Sequence, residues 1–538
     1  MLRFHWKRSA VLVLAVWALL AVQSAKAQVG VVTVRSVDAL MGDVKYLLKV
    51  AGREDLAKTL ESLLSSLSPD GKPFGGIDTK RPLGLYINMP KEAGGVPTGA
   101  FFIPVSKDSE FLDFLTRVNV QHEKGEKGLY TIKTPQDQTL YAKFAHNYVY
   151  AADNSAHLEG PLVDPGTVIP AAHKNALVAA SFRVDQVPQQ YKEMLLNQVN
   201  EKLKEAEEKK AGENDVEHQG RVFGAKVARD LMQMLVEESK EVTLSIQVDQ
   251  QKNQIGLDLA LVPKQGSKLA GGFRTFGAGR SMFGGFVKDS ALNFLAHLPV
   301  TGDLHATALK LLDQAFQEGL KSAKTDKEKQ LAEKLYKAVL PTLKSETIDM
   351  GSVLYGPLDD GKYVAVAGLK VKDGKNLEKT VQDIVNEIPE KDRKGVKLNH
   401  AKIGDASVHL IVPPEEPDED LKRSLGNHHV LVAFRNDAVL LAVGEHGMKG
   451  LQDGLSALRS GPDQGTAPVQ FEMSISKLAP LAKEDQEKVV EAAKKVFVGE
   501  AKGKDRVRIS LQGGDTLRLR VGLNAEIIKL VAELAPIP

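Results

Sequence analysis

Ser474-Ile475-Ser476-Lys477 carries the SxxK spacing that lets a lysine take the proton of a nucleophilic serine. That chemistry needs the serine at the start of a helix and the lysine one turn on, facing the same way. Here Val469, Phe471, Met473 and Ile475 alternate, which predicts a strand through Ser474, and the matching position earlier in the chain is Arg183. Ordinary structure explains the motif. No GxSxG occurs, and no spacing brings a serine, a histidine and an acid together as a triad. The chain has no cysteine, which excludes disulfides, thiolate metal sites, iron–sulfur clusters and a cysteine nucleophile.

Metal chemistry fares no better. His297, His305, His400, His409, His428, His429 and His446 gather in the second half, yet none forms an HExxH, an HxH or an i, i+4 pair. His428 and His429 are neighbours, so a regular strand turns them to opposite faces. Asp359-Asp360-Gly361 and Asp418-Glu419-Asp420 lack the alternating oxygen pattern of a calcium loop and read as turns. No cofactor is expected. Gly277-Ala278-Gly279-Arg280 belongs to neither a GxxxxGK[ST] nor a GxGxxG phosphate cradle. Its surroundings, with Arg274, Phe276, Arg280, Phe283, Phe286 and Lys288, mix cations and aromatics. A contact with a polyanion or a membrane through Arg274, Arg280 and Lys288 is therefore a candidate.

Around these residues the chain has 538 positions, 43% hydrophobic and 26% charged, with 71 Lys+Arg against 69 Asp+Glu. That supports two or more cores and excludes a disordered chain. The net charge of +2 excludes nucleic-acid binding driven by overall charge.

Residues 1–27 have the form of an export signal. Arg3, Lys7 and Arg8 precede an apolar run from Ala10 to Val22, and Ala25-Lys26-Ala27 offers the small residues at alternate positions that signal peptidase recognises. The run is too short to span a bilayer. Cleavage after Ala27 would make Gln28 the N-terminus and turn the net charge from +2 to −2, because Arg3, Lys7, Arg8 and Lys26 leave with no acid. Both tryptophans, Trp6 and Trp17, would leave too. No later window is apolar enough for a membrane span, so the mature chain is expected to be exported, periplasmic or extracellular.

The remainder repeats itself. Residues 139–160 lie without a gap over 429–450, with Phe144 on Phe434, Ala152 on Ala442 and Gly160 on Gly450. Each stretch predicts a hairpin, turning at His146-Asn147 and at Asn436-Asp437. Strands at 99–105 and 363–371 each lead into a helix, with Phe111, Leu115 and Val118 matching Leu377, Val381 and Ile384. Lys127-Gly128 and Lys394-Gly395 each open a further strand, and Val178, Ala180 and Phe182 alternate as Val469, Phe471 and Met473 do. Terminal hairpins follow: Val242, Leu244 and Ile246 match Val507, Ile509 and Leu511, and Leu257, Leu259 and Leu261 match Leu519, Val521 and Leu523. Helices at 37–67 and 290–343 are expected to open the halves, with Tyr86 and Tyr355 marking the first strand of each sheet. Residues 188–240 predict a charged helical hairpin, with a shorter counterpart over 478–498.

These observations predict an α+β protein of two similar tandem lobes, each a mainly antiparallel sheet with helices packed on one face. The lobes are expected at 28–262 and 290–538, joined by a flexible, basic linker at 263–289 that holds Gly266, Gly271, Gly272, Gly277, Gly279, Gly284 and Gly285.

The segment from Gly76 to Tyr86, followed by Gly99 to Val105, resembles a phrase in large secreted bacterial proteins of unknown function with tandem α+β modules. The resemblance lies mainly in residues 28–150 and implies export and modular architecture, without an activity. The expected function is a non-enzymatic binding or scaffold role in the cell envelope. The partner would be an envelope protein, a lipid or a polymer, and not nucleic acid. A hydrolase with scattered residues and a carrier of apolar ligands, with a pocket between sheet and helices, are the alternatives.

Overall fold

The computed structural model describes residues 26–66, 74–90, 95–134, 138–287, 290–321, 323, 325–459, 467–482 and 487–534. The chain divides into two compact units. One comprises residues up to Val199 together with Met232–Ser267, and the other Asn200–Leu231 together with Lys268 onward. The expected signal segment lies outside the described residues, except that Lys26 and Ala27 begin the first strand.

The first unit is α+β with an antiparallel sheet of strands β1 (Lys26–Val34), β2 (Leu83–Pro90), β3 (Thr98–Pro104), β4 (Gln121–Lys124), β5 (Leu129–Lys133), β6 (Thr139–Ala145), β7 (Tyr148–Ala152), β8 (Val178–Phe182), β9 (Ser239–Asp249) and β10 (Gln254–Pro263). Hydrogen bonding orders them 4-5-6-7-3-2-1-8-9-10. Alternation builds the core, since Val31, Tyr86, Ala100, Phe102, Tyr148 and Tyr150 turn inward together. A helix at Asp108–Arg117 lays Phe111 against Val105, Ile132, Ala142 and Val149. The β6–β7 turn is the one its residues predict: His146 and Asn147 both take left-handed backbone, with φ of 54° and 59°.

The second unit contains β11 (Leu292–Pro299), β12 (Thr347–Tyr355), β13 (Val364–Lys370), β14 (Val396–Ile403), β15 (Ala406–Ile411), β16 (Val430–Phe434), β17 (Ala438–Val443), β18 (Val469–Ser474), β19 (Arg506–Gln512) and β20 (Leu517–Asn524). Their order is 14-15-16-17-13-12-11-18-19-20, also antiparallel throughout. Register agrees as well as order. Ala142 faces Ala151, which faces Phe101; Val432 faces Leu441, which faces Ala367. This is the same offset that lays 139–160 over 429–450. At the other side Val178, Ile246 and Leu257 form one cross-strand row, as Val469, Leu511 and Leu519 do.

Several expectations change. Tyr86 and Tyr355 lie on the second strand of each sheet, because β1 and β11 precede the helices at Val37–Val50, Glu54–Ser66, Gly302–Lys321 and Asp326–Leu343. Lys127-Gly128 opens β5, whereas Lys394-Gly395 opens β14, one strand out of step. In the second unit helices cover both faces of the sheet, not one. The helix at Gly447–Arg459 packs Leu451 and Leu455 on Val364, Val366 and Leu440, and the helices at Asp326–Leu343 and Gly374–Glu387 lie over the opposite face.

The segment expected as a flexible linker is built into the second unit. Lys268–Ala278 is a helix with Leu269, Ala270 and Phe273 buried, and Phe283 and Phe286 are wholly buried in the core. Two glycines on adjacent strands admit the Phe283 side chain: a Cβ on Gly351 would come within 2.5 Å of its Cβ, and one on Gly368 within 2.2 Å of its ring. Burying aromatic area outweighs the disorder that glycine-rich composition favours.

Candidate ligand-binding cavity

Strand alternation in the second sheet sends Leu295, Val353, Val366 and Leu440 into the core, and their neighbours Phe294, Met350, Ser352, Ala367, Leu369, Val439 and Leu441 to the opposite face. Two helices lie over that face. Asp326–Leu343 begins with a capping box between Thr325 and Glu328, and presents Val339 and Thr342 at i, i+3. Gly374–Glu387 presents Leu377 and Val381 at i, i+4. Between sheet and helices is a cavity of about 500 Å³, within the size range of small-molecule sites. Among the described residues no charged side chain lines it. Leu369 and Leu441 are each 42% exposed, so apolar surface is open to solvent here.

Polar contacts hold the helices in place. Lys372 N–H donates to Thr342 Oγ1 at 2.9 Å, and Lys334 donates to Glu387 at 3.1 Å. Lys375 donates to Glu378, to the Asp405 carbonyl and to the Phe434 carbonyl, tying the second helix to the sheet. Burial pushes the Glu378 carboxyl up, but hydrogen bonds from Ser407 and Lys375 and the nearby charges outweigh it and leave it below the usual carboxylate range. His409 accepts the Asn399 N–H on Nδ1 at 3.1 Å, and its Nε2 lies 3.3 Å from Glu378 Oε1.

The cavity has a residue-level cause. Ser352 faces Ala367 across β12 and β13, and the register places Leu85 and Phe101 at the corresponding points of the first sheet. Small side chains leave room where the first unit carries large ones, and Phe101 there is 56% exposed. Sequence reasoning passed over this pair because its importance depends on which face the helices cover.

The residues singled out from sequence are scattered. Arg274 pairs with Asp515 at 3.1 Å, Arg280 donates to the carbonyls of Gly277 and Gly279, and Lys288 lies outside the described residues. Phe276 is half-buried, and Phe283 and Phe286 are wholly buried, so those two add nothing to a docking surface there. Of the signal-peptidase residues, Ala25 lies outside the described residues and Ala27 is in β1. The histidines go separate ways: His297 to Asp349, His305 to the Leu343 carbonyl, His446 to Asp360. Among the described residues no group of three or more His, Asp or Glu could hold a metal ion.

Ser474 corrects the sequence reasoning. It ends β18 and caps the short helix Ile475–Leu478, so it does open a helix. It is nevertheless buried and donates to Asp505, which also accepts from Ser476 N–H and Oγ. Its hydroxyl proton goes to a structural carboxylate.

The first unit holds a polar chain that no motif signalled. Thr33 Oγ1 and His173 Nδ1 are 2.8 Å apart, His173 Nε2 and Ser181 Oγ 2.8 Å, and Ser181 also meets Thr243 and Glu241. The Ser–His contact has the reach of a nucleophile and its base. A threonine stands where a triad has its acid, and Ser181 is 4% exposed, so the chain ties a buried histidine to the sheet and gives a substrate no access.

No family profile, curated protein or solved structure matches this chain.

Proposed function

We propose that the protein is an exported carrier of apolar ligands, loaded between the second unit's sheet and its two covering helices. The observation that carries this reading is the cavity of about 500 Å³ walled by Phe294, Met350, Ala367, Leu369, Leu377, Val381 and Leu441. Solvated apolar surface of this extent is costly unless something covers it. Export rests on the form of residues 1–27, and the two units are read as copies of one ancestral unit. Their common strand order and register support the second point. On this view the second copy acquired room for a ligand through Ser352 and Ala367.

The test uses the purified chain starting at Gln28, stripped of lipid, and an environment-sensitive naphthyl fluorophore. Saturable binding with a blue shift is expected, and Ala367→Trp should abolish it while the thermal midpoint stays within a few degrees. A fluorophore that binds Ala367→Trp as well as the parent chain would overturn the reading. Organic extracts of the protein purified from its envelope should contain a stoichiometric apolar compound by mass spectrometry.

A further inference from the structure

We propose that the ligand is an uncharged long-chain lipid with a single carbonyl or hydroxyl oxygen near one end, which pairs with the Ser352 hydroxyl; this rests on the carrier reading above and names the substrate class of that cavity. Among the described residues only Ser352 and Thr342 bring polar side chains to the walls, and no charged one does. A carboxylate or ammonium drawn inside would lose its hydration with nothing to replace it. Thr342 is already engaged, since its hydroxyl accepts the Lys372 N–H at 2.9 Å and reaches the Lys372 carbonyl at 3.5 Å. The Ser352 hydroxyl has no partner among the described residues.

The sheet register fixes what surrounds it. Phe294, Ser352, Ala367 and Leu441 form one cross-strand row over β11, β12, β13 and β17, and Met350 is the next residue of that face along β12. The hydroxyl therefore stands one strand in from the cavity's β11 side, with the longer apolar stretch running over Ala367 and Leu441. The need for room does not by itself account for a serine there. Ala367 makes room without a polar atom, and the first unit has Leu85 at the corresponding point. A ligand that is hydrocarbon throughout would strip water from this hydroxyl and leave it unpaired, a loss that an oxygen on the ligand removes. Because a hydroxyl both donates and accepts, either a carbonyl or an alcohol satisfies it.

The experiment measures displacement of the naphthyl fluorophore by hexadecane, the methyl ketone of equal length and hexadecanoate, each from the parent chain and from Ser352→Ala at pH 8. Ser352→Ala should weaken the ketone by about three- to tenfold, the value of a single hydrogen bond. It should leave hexadecane unchanged or slightly tighter, which also shows that the variant is folded. The infrared carbonyl stretch of the bound, isotope-labelled ketone should lie below its position in hexane in the parent chain and return toward it in the variant. An undiminished ketone affinity in Ser352→Ala, an equal loss for the alkane, or tighter binding of hexadecanoate than of the ketone would overturn the proposed class while sparing the carrier reading. Failure of all three compounds to displace the fluorophore would overturn the carrier reading itself.

Discussion

Ser281 donates a hydrogen bond to Asp349 Oδ1 at 2.6 Å, joining two fully buried side chains 68 residues apart. The other oxygen, Oδ2, accepts the main-chain N–H of Met282 at 3.0 Å and lies 3.5 Å from His297 Nδ1. This carboxylate pins the former linker segment to β12, next to the cavity residues Met350 and Gly351. Asp349→Ala should cost about 3 kcal/mol, because it strands a buried hydroxyl and a buried amide. Ser281→Ala should cost about 1–2 kcal/mol. Urea denaturation with an unchanged slope checks both.

Phe283→Ala should destabilise the second unit by about 3–5 kcal/mol, since the ring is wholly buried and fills the space above two glycines. Gly368→Ala should also destabilise, by about 1–3 kcal/mol, because its methyl group would lie 2.2 Å from that ring. Combining the two should cost less than their sum, as the truncated ring no longer meets the methyl. Strict additivity would show that the ring and the glycine are not in contact.

His173 gives stability a pH dependence. Burial lowers its pKa from the ordinary 6.5, with a smaller opposing pull from Glu241. The unfolded chain therefore takes up a proton at a higher pH than the folded one. The stability of the first unit is full above about pH 6.5, and declines as pH falls from there toward the folded-state pKa. Replacing His173 with Gln should flatten this part of the profile, at the cost of overall stability. Thermal midpoints between pH 5 and 8 read it out.

Ser474 should form no acyl-enzyme. Incubation with a β-lactam or a fluorophosphonate should leave the intact mass unchanged, because Ser474 is a buried helix cap whose proton is held by Asp505. Burial pushes the Asp505 carboxyl up, but bonds from Ser474 and Ser476 more than offset this and leave it below the usual range. Asp505→Ala should destabilise the chain by about 2–3 kcal/mol in chemical denaturation at neutral pH. A covalent adduct on Ser474 would contradict this assignment.

Much of the fold is legible in the sequence because strands write their burial as a period of two. Val178, Ala180 and Phe182, and Val469, Phe471 and Met473, disclose both the strands and their partners. The gapless match of 139–160 to 429–450 even anticipates the hydrogen-bond register. The seam from Lys268 to Val287 misleads for an equally physical reason. Six glycines with no periodicity describe a flexible chain locally, and only the hollow over Gly351 and Gly368 makes Phe283 a core residue. Ser474 misleads in the same way: its last strand position and its first helix position are one residue.

Residue order alone determined the cysteine-free chemistry, the antiparallel pairing, and the helix stripes at Phe111 and Leu377. These depend on neighbours a few residues apart or on simple composition. The tertiary structure decided that Ser352 and Ala367 face a pair of helices across an open space, that Thr342 and Lys372 meet, and that Phe283 belongs inside. Those outcomes depend on which face of a sheet each distant helix covers, and a side chain's own stretch of sequence carries no record of that choice.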